Sequence, residues 1–163
     1  MSIETDLAKI AEQEKRLRFA RLDYEMLWQL GAAIRTLARE RGLALAIDIR
    51  VAGETIFYNA MPGTSPNNAD WARRKRNTVD ALHTSSYAVG LAGERDGTTL
   101  EQKSGRPQRD FATHGGSFPL MVDGLGAIGT VTVSGAPQRI DHAIVVEALA
   151  AMIGVPLAEV ALD

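Results

Sequence analysis

The stretch 122-VDGLGAIGTVTVSG-135 decides the fold. Gly124, Gly126 and Gly129 stand in the order G-x-G-x-x-G, the spacing of a dinucleotide-binding turn. Such a turn needs a strand before it and a helix after it, whose first amides face the pyrophosphate. Here Gly129 is followed by Thr130-Val131-Thr132-Val133-Ser134, alternating and β-branched, which signals a strand and opens a helix poorly. Asp123-Gly124 therefore reads as a tight turn joining two antiparallel strands, SFPLMV and GAIGTVTVS. A helix comes only after SGAP, with Pro137 in its first turn and Val145, Ala148, Leu149 and Met152 on its buried face. The glycines are assigned to the turn and to close packing within a sheet.

Working outward, Leu43, Leu45, Ile47, Ile49 and Val51 alternate with small or polar residues, the period of a half-buried strand. Ala52-Gly53 turns the chain into a second strand, Thr55 to Ala60. Before this hairpin, Asp23 caps a helix whose face is Leu27, Leu30, Ile34 and Leu37, and Gly42 stops it. Ahead of that, Ile3, Leu7, Ile10 and Leu17 form a narrow apolar stripe on a polar helix. Residues 1–20 are therefore expected to dock on the remaining domain, 21–163, or on a neighbouring subunit. After the hairpin, a helix opened by Ser65-Pro66 or by Asn68 runs through ADWARRKRNTVDALH. The segment GERDGTTLEQKSGRP reads as surface with a one-turn helix capped by Thr99 and Gln102, and PQRDFATHGG as a further short helical turn ending at Gly115. Two hairpins separated by helices predict an α+β domain built on an antiparallel sheet.

Composition bounds the function. The 163 residues carry a formal charge of -2 and no cysteine, so disulfides, thiolate ligation and a cysteine nucleophile are excluded. The balance gives no general attraction to nucleic acid or anionic membrane. With no segment of signal-peptide or membrane-spanning type, a cytoplasmic location is expected. The three histidines lie about thirty residues apart with no local ligand spacing, so no metal site is expected. Neither Ser117 nor Ser134 sits in a nucleophile elbow.

Three stretches could carry chemistry. On the helix around DWARRKRNTVDALH, Trp71, Lys75, Val79 and His83 fall at four-residue steps. Lys75, with Arg74 nearby, would grip a carboxylate or phosphate beside the Trp71 indole; the competing reading is a solvated basic face whose lysine stem lies along the tryptophan. The run RRKR also admits a nucleic-acid patch, but without an aromatic platform or overall basicity. In THGGSFP, the Gly115-Gly116 amides converge on an anion and His114 acts as donor or base, or the segment simply turns the chain into a strand. Asp141 and His142 point about 100° apart on a helix, and Asp141 is accounted for by the helix dipole.

WARRKRNTV, HTSSYAVG, HGGSFPL and GAIGTVTVSGAPQRIDHAIVVEAL, in this order, closely resemble a family of short heme-degrading-domain proteins within the wider GlcG/HbpS-like group. The resemblance covers Leu22 to Gly154. It implies a profilin-like α+β fold, a five-stranded antiparallel sheet with helices on both faces, and homo-oligomers. Relatives in the group bind heme, the short branch carries no assigned activity, and a eukaryotic relative is linked to chaperone machinery for membrane-protein insertion. The expected function is small-ligand binding, of heme or a small anionic metabolite, by Trp71, Arg74, Lys75, His83, His114, Gly115 and Gly116. Heme would take His114 or His83 as axial ligand, with Arg74 and Lys75 on its propionates. The alternative is a non-catalytic oligomeric scaffold or a protein-interaction module linked to chaperone partners.

Overall fold

The computed structural model describes residues 2–162. Two hairpins supply four strands: β2 (Ala46–Val51) with β3 (Glu54–Ala60), and β4 (Ser117–Val122) with β5 (Gly126–Ser134). Both turns follow the local chemistry. Ala52 and Gly53 have φ of 49° and 84°, the paired positive values of a two-residue hairpin that matches strand twist. At the other turn, Leu125 N–H donates to Val122 O at 3.0 Å, with Gly124 at φ 79°.

A fifth strand, β1 (Arg18–Phe19), corrects the purely antiparallel expectation. The sheet order is β1-β4-β5-β2-β3, and β1 runs parallel to β4. A two-residue strand has no alternation to read. Because β1 and β4 are separated by most of the chain, no hairpin imposes the antiparallel sense.

The two faces differ in chemistry. Ile47, Ile49, Phe118, Leu120, Val131 and Val133 are fully buried against α2 (Tyr24–Glu40) and α6 (Gln138–Ile153). Helix α2 begins at Asp23, whose Oδ1 accepts from Met26 N–H at 2.8 Å. On the opposite face, Asp48, Thr130, Thr132 and Ser117 are buried beneath α3 (Pro66–Leu82). Ser117 and Thr132 hydroxyls pair across the strands at 2.7 Å, and Asp48 is bound by Arg76 of α3. A buried polar face calls for partners within the protein: Arg76 and Lys75 of α3 bind Asp48 and Val133 O of the sheet, while the Thr130 hydroxyl has no partner among the described residues.

Helix α1 (Ile3–Arg16) packs on α4 (Ser86–Asp96) and α7 (Leu157–Val160). Its Ile10 is buried with Tyr87 and Leu91. Gln13 reaches into the same seam, donating to Val160 O at 2.7 Å. Helix α4 was not evident in the sequence because Gly90 and Gly93 depress its helix propensity. Both glycines mark close backbone approaches: a Cβ at Gly90 would lie 2.2 Å from Thr113 O, and one at Gly93 would lie 2.8 Å from Thr98 O. The one-turn α5 (Leu100–Ser104) does form, with the Thr99/Gln102 capping box. No helix forms over PQRDFATHGG, which holds a turn at 108–110 and a bend at 114–115; α3 side chains bind carbonyls of that segment instead.

The three glycines of the opening motif now separate. Gly124 and Gly126 serve positive φ at the turn, whereas a Cβ at Gly129 would lie 2.0 Å from Arg50 O and 2.9 Å from Val51 Cα. Gly129→Ala must push β5 away from β2, and an overpacked core of this kind loses about 3 kcal/mol. At Gly124 nothing lies within 4 Å of the added Cβ, and Gly124→Ala is expected to lose only about 1 kcal/mol, for the left-handed backbone. Urea unfolding of the two variants checks this order; equal losses would contradict it.

Candidate functional site

The N-terminal half of α3 and the start of α6 border a cleft of about 310 Å³, closed on a third side by the loop before β4. Trp71 and Lys75 reach it from successive turns of α3. His114 comes from the loop, its ring meeting the Trp71 indole edge-on with centroids 4.9 Å apart. Lys75 and Asp141 form the floor.

Lys75 is 3% exposed. Its ammonium donates to Asp141 Oδ2 at 2.8 Å and to Val133 O at 3.1 Å. Asp141 also accepts from the backbone N–H of Ala136 at 3.0 Å and of Gly135 at 3.4 Å. Burial pulls the lysine below its ordinary range, against the attraction of Asp141. Burial likewise raises the Asp141 carboxyl, opposed by Lys75 and the two amides. The two groups hold each other in place at the junction of α3 and α6. His114 is lowered by burial and by the charges of Lys75 and Arg74, so at neutral pH it is an uncharged imidazole, able to accept a hydrogen bond or bind a metal centre.

The remaining walls are amide-rich. Asn68 Oδ1 accepts from Ser65 N–H at 2.8 Å, and Gln138 Oε1 accepts from Gly115 N–H at 3.2 Å. The Nδ2 and Nε2 groups of Asn68 and Gln138 have no acceptor among the described residues. They line the cleft as donors.

Of the residues singled out from sequence, the structure unites Trp71, Lys75 and His114 in this cleft. Arg74 stands at its side, its guanidinium 4.2 Å from the Trp71 ring centroid and donating to Gln108 O at 2.7 Å. His83 lies elsewhere. It ends α3 in a left-handed conformation and borders a separate cavity with Arg50 and Asp80. The four-residue stripe that linked His83 to Trp71 spans twelve residues, roughly 18 Å along a helix, too far for one small cleft.

Gly115 and Gly116 are required by close approach. A Cβ at Gly115 would meet Gln138 O at 2.3 Å; one at Gly116 would meet Val133 O at 2.5 Å and Lys75 Nζ at 2.7 Å. The Gly115 N–H is committed to Gln138, and Gly116 leaves the space that the ammonium fills.

The basic run is satisfied within the chain. Arg73 pairs with Asp70 and Asp110, Arg74 with the Gln108 carbonyl, Lys75 with Asp141 and Arg76 with Asp48. The bonds of Arg73 and Arg74, with Thr78 Oγ1 donating to Ala112 O at 2.8 Å, strap the loop before β4 to α3 and thereby position His114. Asn68, Gln138 and Asp141 are among the cleft residues that sequence reasoning did not assign to it. Only the helix-start position of Asp141 hinted at an anchored carboxylate.

Fold and cleft together define an α+β protein with a five-stranded sheet and a polar cleft where two helices meet. The chain belongs to the HbpS-like family: the model for "Haem degrading protein HbpS-like" matches residues 22–150. It is 53% identical over 163 residues to a UPF0303 protein of Azotobacter vinelandii, covering 100% of this chain and 98% of that one. Among solved structures it is similar to the Ybr137w protein, with a TM-score of 0.85 and 25% identity over 93% of this chain and 94% of that chain. A PduOC:heme complex is likewise similar, with a TM-score of 0.69 and 25% identity over 83% of this chain and 97% of that chain. No helix among the described residues is long and apolar enough to cross a membrane.

Proposed function

We propose that this protein binds a small polar molecule in the cleft between α3 and α6. The observation that carries this reading is the set of uncommitted donors around a buried ion pair. The amide groups of Asn68 and Gln138 and the third proton of Lys75 all line one cavity beside an indole wall. Convergent polar groups in a concave site are what small-molecule recognition requires.

Heme is the second reading, supported by the family and by the likeness to the PduOC:heme complex. The uncharged His114 suits iron ligation. The rest of the donor set does not suit a macrocycle. Among the described residues Trp71 is the only large apolar side chain lining the cleft, and Lys75 is already neutralised by Asp141, so it is not a propionate clamp. The residues present favour a compact, hydroxyl- or carbonyl-rich ligand.

The chain has two tryptophans, so Trp28→Phe leaves Trp71 as the reporter. Titration of this variant with dihydroxyacetone, pyruvate and hemin separates the readings. Saturable change in Trp71 emission with a small probe, weakened about tenfold by Gln138→Ala, is the expected result. A one-to-one hemin Soret shift lost in His114→Ala would instead assign heme. Silence toward all three probes would remove the cleft as the binding site for either class.

A further inference from the structure

We propose that Lys75 is a carbonyl-capturing amine, whose Nζ condenses with the aldehyde or ketone group of a small polyhydroxylated molecule seated against Trp71. The inference rests on the cleft being a ligand site and adds what the floor of that site does.

The geometry favours a carbonyl over a second anion. Any group that reaches Lys75 Nζ from the cleft also meets Asp141 Oδ2, only 2.8 Å from that nitrogen. A carboxylate or phosphate there would stand against a like charge already matched to the lysine, whereas a carbonyl oxygen is a neutral acceptor. Nζ is held by Val133 O and Asp141, in the space that the lack of a Cβ at Gly116 provides, and Lys75 lines the cleft. A lysine desolvated in this way is the kind that loses its proton readily and acts as a nucleophile. Its ordinary charge is weakened by burial, and Asp141 is the adjacent group that can take and return protons.

The step balances within the site. One ammonium proton passes from Nζ to the Asp141 carboxylate, leaving an amine lone pair. That pair forms the C–N bond at the carbonyl carbon while the C=O π pair moves to oxygen, which takes the proton held on Asp141. A second proton leaves nitrogen for Asp141 and is delivered to the hydroxyl, which departs as water as the nitrogen lone pair closes C=N. The sum is ammonium plus carbonyl giving protonated imine plus water. Asp141 ends as it began, and no oxidant, reductant or metal is consumed. Asn68 and Gln138 are placed to hold hydroxyls of the same molecule.

The chain holds four lysines, Lys9, Lys15, Lys75 and Lys103, so site selectivity is directly readable. The Trp28→Phe protein is incubated at pH 7.5 with dihydroxyacetone and sodium cyanoborohydride, Trp71 emission is followed, and reduced adducts are mapped by peptide mass spectrometry. The expected result is a three-carbon adduct at Lys75 on the order of tenfold above Lys9, Lys15 and Lys103, which have no Asp141 beside them to take and return protons. Lys75→Arg keeps a cation opposite Asp141, preserving the fold, and is expected to abolish that adduct while leaving the others. A saturable Trp71 response with Lys75 unmodified would overturn the imine and leave the cleft standing as a ligand site. No Trp71 response and no Lys75 adduct would overturn both.

Discussion

Lys75→Met is expected to destabilise the protein by about 3–5 kcal/mol, the loss that follows when one partner of a buried ion pair is removed. The side chains of Lys75 and Asp141 are 4% and 1% exposed, so water does not screen the pair as it would on the surface. Without the ammonium, Asp141 keeps only the Gly135 and Ala136 amides, and the methionine stem fills space without offering a charge. Asp141→Asn added to Lys75→Met should restore part of the loss, because an amide can still accept from Ala136 and no longer buries a net charge. The measurement is a urea-unfolding double-mutant cycle at pH 7. Destabilisation of under about 1 kcal/mol in the single variant, the value of an exposed pair, would mean that the floor of the cleft is open to solvent.

The same pair explains how much of the site was legible. Lys75 stood out because a helix places Trp71 and Lys75 on one stripe, and that periodicity is local. Asp141 lies sixty-six residues later in the chain, and nothing in the sequence around it names its partner. Its early position in α6 was enough to account for it by the helix dipole, a true but incomplete reason. His83 shows the reverse error. A stripe of four-residue steps identifies a face and says nothing about distance along the axis, so the residue at the far end was grouped with a cleft it does not reach.

The fold was more readable than the site because each hairpin carries its own turn chemistry. Ala52-Gly53 and Asp123-Gly124 fix register locally, and α2 is bounded by Asp23 and Gly42. What escaped was set by tertiary contact. β1 exists because α1 delivers two residues to the edge of β4, and α4 is a helix whose glycines are needed where neighbouring backbone passes close. The RRKR run belongs to the same class. Read in sequence it is a patch of charge; in the fold each member is spent on a different partner, and Arg73 and Arg74 hold the loop that presents His114.

Acid should loosen the protein through His142, the residue after Asp141 in α6. His142 is 1% exposed, its Nε2 lies 2.8 Å from Gln13 Oε1, and Tyr87 and Phe118 flank its ring. Because Gln13 Nε2 is donated to Val160 O, Gln13 Oε1 must accept and His142 Nε2 must carry the proton of a neutral ring. Burial, with the nearby Arg139 charge, holds this imidazole down to about 3, whereas in the unfolded chain it titrates near 6.5. The folded state therefore binds the proton less tightly. The stability linked to the neutral ring is complete above about pH 6.5 and is lost as pH falls toward 3, at about 1.4 kcal/mol per unit. The whole interval amounts to about 5 kcal/mol. Carboxylates and His114 also titrate on the way down, so the comparison is with His142→Gln, which retains a donor for Gln13 and has no charge to acquire. Unfolding free energies of the two proteins should converge as pH is lowered from 7 to 4, and α1 amides should lose hydrogen-exchange protection first, since Gln13 ties that helix to α6 and α7. Parallel pH profiles would show that His142 accepts its proton without leaving the core, and the neutral ring would then have no part in holding α1.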